Sequence, residues 1–291
     1  MSFDFEYNRY LDVFNGYLNE TLNKIKNSAP QILIEAMNYA VSDGGKRVRP
    51  VLCLATAEML GLNCESVKEY ALAIEFIHSY SLVHDDLPAM DNDDFRRGKL
   101  STHKKFGEAF GILAGDALLN FAFEICLSRK NVTEKDVEAM RLIAEYAGFS
   151  GMIGGQVLDL QNEGKSSVGE IELYDIYLNK TAKLIMAPVL VSATVAGSKY
   201  YEKLKDFAYN LGVTFQITDD ILDEVGSIDS IGKTPHKDKA VDKLTAIKIL
   251  GLDGAKDRAT EHYLNCKRIL SEFENSKFLS DFTDAMYFRK K

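Results

Sequence analysis

Apolar residues recur in this chain at the three-to-four-residue spacing of an α-helix, and no stretch alternates over the length of a strand. That pattern confines the fold to helices packed on helices. Val67, Tyr70, Ala71, Ile74, Ile77 and Ser81 share one face of a segment over roughly residues 66–87. Leu204, Phe207, Leu211, Phe215 and Leu222 do the same over roughly residues 203–225. Ser66 followed by Glu69 reads as a capping box for the first of these. Thr133 with Asp136 reads as a looser start for a helix through about Ala147. Of the five prolines, Pro30, Pro50, Pro88 and Pro235 sit at expected helix ends or first turns. Pro188 interrupts an otherwise helical stretch over 181–196, where a kink or break is expected.

The 291 residues read as one all-α domain, 1–291, of ten or more helices. The Ser/Gly-rich pieces at 162–169 and 226–232 are short loops, and no linker or repeat divides the chain. Forty-three acidic against 35 basic side chains give a net charge of −8. Such a chain is a poor general binder of nucleic acid or of anionic membranes, and any anion must be held by local basic clusters or by metal. No stretch is read as approaching the ~20 apolar residues of a membrane span. The N-terminus has no basic start followed by an apolar run. A cytoplasmic protein without stable membrane association is expected. Cys53, Cys64, Cys126 and Cys266 lie far apart and form no CxxC pair, so they read as reduced, packed thiols.

Two aspartate clusters carry the chemical signal. Asp85, Asp86 and Asp91 follow the apolar run 74–83, and Asp219, Asp220 and Asp223 follow the run 211–217. Asp219 and Asp223 are four apart and share a helix face. Asp85 and Asp91 are six apart, which one straight helix cannot bring together. Pro88 ends the helix between them and lets the loop fold Asp91 back beside Asp85. Carboxylates gathered at the ends of buried helices repel one another and are costly to desolvate. A hard divalent cation removes that cost, and Mg²⁺ suits a site with a few carboxylates that leaves room for water and phosphate oxygens.

Basic groups accompany the acids. Residues 44–50, GGKRVRP, form a loop entering a helix, suited to holding a diphosphate. Arg96, Arg97 and Lys99 follow the first acidic cluster, Lys233, Lys237, Lys239 and Lys243 follow the second, and Lys180-Thr181 adds a cation with a hydroxyl. Acids with metal for one polyphosphate, and cations without metal for another, suit a reaction whose two substrates both carry diphosphate. The run from Gly226 to Thr234 imitates a P-loop but has one residue too many between its glycines and follows a helix. Gly151, Gly154 and Gly155 lack the preceding strand of a dinucleotide fingerprint.

The segments HSYSLVHDDLPAMDNDDFRRGK (78–99) and FQITDDILD (215–223) resemble the two aspartate-rich motifs of the trans-isoprenyl diphosphate synthases. GGKRVRP, GDALL (115–119), GGQVLD (154–159), Lys180-Thr181 and IGKTPHKD (231–238) resemble further motifs of that family in the same order, so the likeness covers roughly 44–243. It implies an all-α isoprenoid-synthase bundle around a central cavity, usually a homodimer, with up to three Mg²⁺ ions. By the same resemblance, Asp85 and Asp91 would ligate two ions with Asp86 in support. Asp219 would ligate a third, with Asp220 and Asp223 supporting it directly or through water. Arg96, Lys180, Gln216 and Lys233, with Thr181 close by, would hold an allylic diphosphate. Lys46, Arg49, His78 and Arg97 would hold isopentenyl diphosphate. His236 and the run from Lys243 to Ala246 depart from the family pattern, which puts the closing loop and the role of Lys243 in question.

The implied reaction is head-to-tail condensation through an allylic cation, with released pyrophosphate as the base and no side-chain nucleophile. Thr181 and the Gln216 carbonyl would place partial negative charge near that cation. The four-residue spacing inside the first motif is similar to that of bacterial farnesyl diphosphate synthases. Tyr80, five residues before Asp85 and so about 7.5 Å along the helix, would stop the growing tail at fifteen carbons, with small Ser81 beside it. A twenty-carbon product, geranylgeranyl diphosphate, is the alternative with the same chemistry. A non-catalytic partner subunit and a terpene cyclase fit less well, since both acidic motifs are complete and the GGKRVRP loop is present.

Overall fold

The computed structural model describes residues 2–42, 44–165, 168–225 and 244–289. In chain order its helices are α1 (Phe3–Ile25), α2 (Gln31–Ser42), α3 (Val48–Met59), α4 (Lys68–Asp85), α5 (Thr102–Phe106) and α6 (Glu108–Leu127). They continue with α7 (Glu134–Ala147), α8 (Met152–Asn162), α9 (Glu170–Ile176), α10 (Lys183–Ala196), α11 (Tyr201–Val225), α12 (Ala246–Leu270) and α13 (Lys277–Tyr287). The all-α expectation holds, with one small addition. β1 (Phe95–Arg96) pairs antiparallel with β2 (Lys99–Leu100). Arg97 (φ 51) and Gly98 (φ 79) supply the two positive φ angles of a tight hairpin turn.

Two helices are buried nearly all round and form the axis of the bundle. Every residue from Tyr70 to Ile77 in α4, and from Leu184 to Ala193 in α10, is buried. The face expected from Tyr70, Ala71, Ile74 and Ile77 is therefore part of a fully enclosed helix. α4 packs along α6, while α10 is surrounded by α3, α7 and α11. Phe14, Leu52, Leu54, Phe76, Leu118, Phe207 and Phe282 fill the space between them.

Three local expectations are corrected. Ser66–Glu69 does not cap α4. Asn63 caps instead, its side chain accepting from the Ser66 N–H at 2.9 Å at the head of a 3₁₀ turn, Cys64–Val67. Thr133 and Asp136 do form a capping box, at the start of α7. Pro188 does not break α10, which runs through it and ends at left-handed Gly197 (φ 61). The irregularity lies upstream, as a π-helical stretch at Tyr177–Ala182. Finally, α6 is long and apolar enough to cross a membrane by length and composition, contrary to the sequence reading. One face of α6 packs against α4, while Phe110, Ile112, Leu113 and Leu127 lie exposed elsewhere on the helix.

A half-buried polar cluster ties α11 to α9 and α12. His262 donates from Nδ1 to Asn210 Oδ1 (2.8 Å) and accepts at Nε2 from the Tyr174 hydroxyl (3.2 Å). Burial holds the His262 imidazole below its usual range. An imidazole that binds its proton less readily when folded leaves stability intact above its unfolded pKa and erodes it as pH falls from there towards the folded pKa. The thermal midpoint should therefore drop on acidification through the region below the ordinary histidine pKa. Thermal melts of a His262→Gln variant should show a flatter pH dependence across the same window.

Candidate active site

α4 ends at Asp85, and Pro88 keeps it from continuing. The loop then turns back on itself. The Asp91 N–H donates to the Asp85 carbonyl at 2.8 Å, Met90 to Leu87 at 2.9 Å, and Asp93 to Asp86 at 3.1 Å. The fold-back expected from the sequence thus sets Asp91 beside Asp85. Burial raises the Asp85 carboxyl above the usual range, and Asp91 and Asp86 add to the rise while Lys180 and Arg96 oppose it.

Asp86 turns the other way. It is 2% exposed, and Arg96 Nε donates to both of its oxygens at 2.8 Å. Asp86 thereby anchors the Arg96 guanidinium.

In the second motif, Asp219 and Asp223 lie on one face of α11 and Asp220 is turned into the protein. Asp220 accepts from the Tyr177 hydroxyl, from the Ala246 N–H (2.7 Å) and from Gln216 Nε2 (2.9 Å). Burial pushes its carboxyl up to about 7 against those bonds. The residue expected to support Asp219 at a metal lies next to the Asp219–Asp223 face, and its carboxylate is held here by protein donors. Arg289 reaches back from the C-terminal end. Its Nη2 donates to the Phe215 carbonyl (2.7 Å) and to Asp219 Oδ1 (3.1 Å), and its guanidinium lies 4.1 Å from the centre of the Phe215 ring.

Between the motifs lies the π-helical stretch Tyr177–Ala182, a kind of segment often found at functional sites. Two glycines let neighbouring helices touch its backbone. A Cβ on Gly155 of α8 would fall 2.1 Å from the Lys180 nitrogen, and one on Gly212 of α11 would fall 2.6 Å from the Ala182 side chain. The close approach of α8 delivers Asp159, which binds Lys180 Nζ. Thr181 donates its hydroxyl to Gln216 Oε1 at 2.7 Å. A chain from Thr181 through Gln216 to Asp220 and Tyr177 fixes the orientation of the Gln216 amide.

The basic loop lies against the hairpin. A Cβ on Gly45 would lie 2.8–2.9 Å from the Arg97 guanidinium, so glycine is what allows Arg97 to lie on the loop. Arg49 has its Nε buried without a partner, and burial lowers its guanidinium to about 10 with Arg97 adding to the effect. Burial first, and then Arg49, Arg97, Arg96 and Arg47, hold His78 well below its usual range. Lys46 is lowered by desolvation and by Arg289, with Asp219 opposing. The loop therefore lies within electrostatic range of the second acidic cluster, as Lys180 does of the first.

Tyr80 is 5% exposed, its hydroxyl is buried without a partner, and its ring meets His84 edge-on at 5.8 Å. Ser81 donates its hydroxyl to the His78 carbonyl at 2.9 Å. Lys233, His236 and Lys243 lie outside the described residues.

Among the described residues no three carboxylate, histidine or cysteine groups form a ready-made metal cage. The donors come instead as an adjacent pair, Asp85 with Asp91, and a helix-face pair, Asp219 with Asp223. They are oxygen ligands, and Asp85 is desolvated and crowded by like charge. That donor set fits Mg²⁺, which takes one or two carboxylates and completes its shell with water and substrate phosphate.

Sequence reasoning passed over Asp159, Tyr177, Arg47 and Glu75. Asp159 closes the GGQVLD run, and Glu75 is a lone acid in an apolar helix centre; both were visible signals.

The family model described as polyprenyl synthetase matches residues 30–279. A farnesyl diphosphate synthase of Micrococcus luteus is 42% identical over 273 residues, covering 91% of this chain and 93% of its own. A chloroplastic geranylgeranyl pyrophosphate synthase of Capsicum annuum is 46% identical over 252 residues, covering 85% of this chain and 68% of its own. Among solved structures, a geranyltransferase from Helicobacter pylori complexed with magnesium and isoprenyl diphosphate superposes with a TM-score of 0.78 at 30% identity, covering 95% and 96% of the two chains.

Proposed function

From the premise that the chain belongs to the polyprenyl synthetase family, we propose that it condenses isopentenyl diphosphate head to tail with dimethylallyl or geranyl diphosphate, releasing farnesyl diphosphate and pyrophosphate. The observation that carries this reading is the fold-back of Asp91 onto Asp85 within range of Lys180. It sets carboxylates and a cation around one place where a diphosphate can leave.

Asp85, Asp91 and Asp219, with Asp223 alongside, would hold Mg²⁺. Bound Mg²⁺ supplies positive charge against the negative charge that grows on departing pyrophosphate. Lys180 and Arg96, oriented by Asp159 and Asp86, hold the allylic diphosphate from the protein side. Lys46, Arg49, His78 and Arg97 hold isopentenyl diphosphate close to the allylic carbon, which turns an encounter of two molecules into a step within one complex. Burial first, and then the neighbouring arginines, hold the His78 imidazole well below its usual range, and it would serve the diphosphate as an N–H donor. The proton lost at the end passes to pyrophosphate.

The structure alters one detail of the sequence reading. The Gln216 carbonyl already accepts from Thr181, so any partial negative charge it offers the allylic cation is shared with that hydroxyl. Gln216→Leu would remove the link between Thr181 and Asp220. Steady-state kinetics should show turnover reduced about 10- to 100-fold with KM for either substrate changed only slightly. Equal losses in turnover and binding would point to a structural role.

Fifteen carbons is the favoured length because the Tyr80 ring is buried five residues, about 7.5 Å, before the Asp85 end of α4. A twenty-carbon product has support in the likeness to the Capsicum annuum enzyme and in the small side chain of Ser81. The exposed apolar face of α6, with Phe110, Ile112 and Leu113, fits a second copy of the chain, and Asp116 and Glu124 on the same helix disfavour lipid. Light scattering on purified protein should give twice the mass of the chain, and Ile112→Glu should shift it to the monomer.

The direct test incubates labelled isopentenyl diphosphate with geranyl diphosphate and Mg²⁺ and sizes the products. A labelled fifteen-carbon alcohol after phosphatase treatment is expected, and label left wholly in isopentenyl diphosphate would overturn the assignment.

A further inference from the structure

Arg47 lies within the basic loop, yet it faces the core. It is 5% exposed, its Nη1 donates to Glu75 Oε1 at 2.7 Å, and its Nη2 donates to the Val41 carbonyl at the end of α2. Its guanidinium also stands 5.9 Å from the Phe14 ring of α1. One side chain thus connects four helices: α1, α2, the head of α3 and the middle of α4.

The backbone at Arg47 is left-handed (φ 48, ψ 39), a conformation that a residue with a Cβ adopts at a cost and keeps only when its surroundings hold it. Arg97, across the loop, is also left-handed (φ 51). Gly45 lies against its guanidinium. Immediately before Arg47, the Tyr7 hydroxyl donates to the Lys46 carbonyl. Glu75 sits in a stretch of α4 whose every residue is buried, and an unpaired carboxylate there would be strongly disfavoured.

We propose that the buried Arg47–Glu75 pair is a positioning strut: it holds the loop over residues 44–50 in its left-handed turn, so that Lys46 and Arg49 present a fixed pair of cations to isopentenyl diphosphate while Arg47 itself binds no substrate. This rests on the assignment of that loop to isopentenyl diphosphate. It explains why three basic side chains in four positions divide their tasks. Arg47 is neutralised inside by Glu75, and Lys46 and Arg49 carry the contacts to the substrate.

The test keeps charge constant and changes only reach. Glu75→Asp shortens the acid, and Arg47→Lys removes the fork that spans Glu75 and Val41. Calorimetric titration with isopentenyl diphosphate should show affinity weakened about tenfold or more in each variant, because small misplacements of binding groups are costly. Binding of a non-reactive geranyl thiolodiphosphate with Mg²⁺ should change less than about threefold, since its cations are anchored by Asp86 and Asp159 instead. Tyr7→Phe leaves the buried pair intact and removes only the bond to the Lys46 carbonyl; it should weaken isopentenyl diphosphate alone, by about threefold. If one buried variant fails to fold by circular dichroism, the other decides. Unchanged isopentenyl diphosphate affinity in the folded variants, or equal weakening of both ligands, would overturn the proposal. A wild-type protein that does not bind isopentenyl diphosphate at all would overturn the assignment of the loop itself.

Discussion

Replacing Asp85 with Ala should lower turnover by about a thousandfold or more, which corresponds to roughly 4 kcal/mol of lost transition-state stabilisation. Asp85 stands where the loop folds back, beside Asp91 and within range of Lys180. Its carboxyl is raised by burial and by like charge, so the folded protein keeps a costly group at this position. Removing it should relieve that cost. The variant should therefore melt no lower than wild type while losing activity, and steady-state kinetics paired with thermal melts would read both effects. An inactive variant that also melts much lower would place Asp85 in the framework.

The second large effect concerns product length. Tyr80→Ala should move the main product from fifteen carbons to twenty or more, read by reversed-phase chromatography of the dephosphorylated alcohols. Tyr80 ends in a buried hydroxyl with no partner, an arrangement that stability alone does not favour. Its ring stands edge-on to His84, and the His84 ring occupies the place where a Cβ on Gly115 would sit, with Nε2 2.1 Å from it. That side of Tyr80 is therefore walled by α6. Removing the ring opens space along α4, where a growing tail would lie. By comparison with other buried aromatic residues cut to alanine, the change should also cost about 3–5 kcal/mol of stability. Product analysis is best done well below the melting temperature. An unchanged product spectrum in a folded variant would rule Tyr80 out as the stop.

These two predictions rest on different degrees of legibility in the sequence. The helical period at 203–225 led directly to α11, and Pro88 within the first motif led to the turn that joins Asp91 to Asp85. Both depend on short-range geometry, which a sequence states openly. The partners that orient the site are set by helix crossings, which it does not state. Asp159 reaches Lys180 only because Gly155 lets α8 touch the π-helical stretch, and Asp220 turns inward only because Tyr177 and Ala246 meet it there. Pro188 misled for a related reason. α10 is enclosed on all sides, and its packing carries the helix through a residue that would weaken an isolated one. α6 departs from the expectation that no stretch approaches a membrane span, since by length and composition it is apolar enough to be one.

The central claim is that two carboxylate sets on separate helices grip one diphosphate through Mg²⁺. Calorimetric titration of geranyl thiolodiphosphate, with Mg²⁺ and with chelator, tests it most directly. Binding should be about a hundredfold tighter with Mg²⁺, and Asp85→Ala and Asp219→Ala should each abolish most of that gain. Equal affinity with and without Mg²⁺, or a gain that survives in either variant, would contradict it.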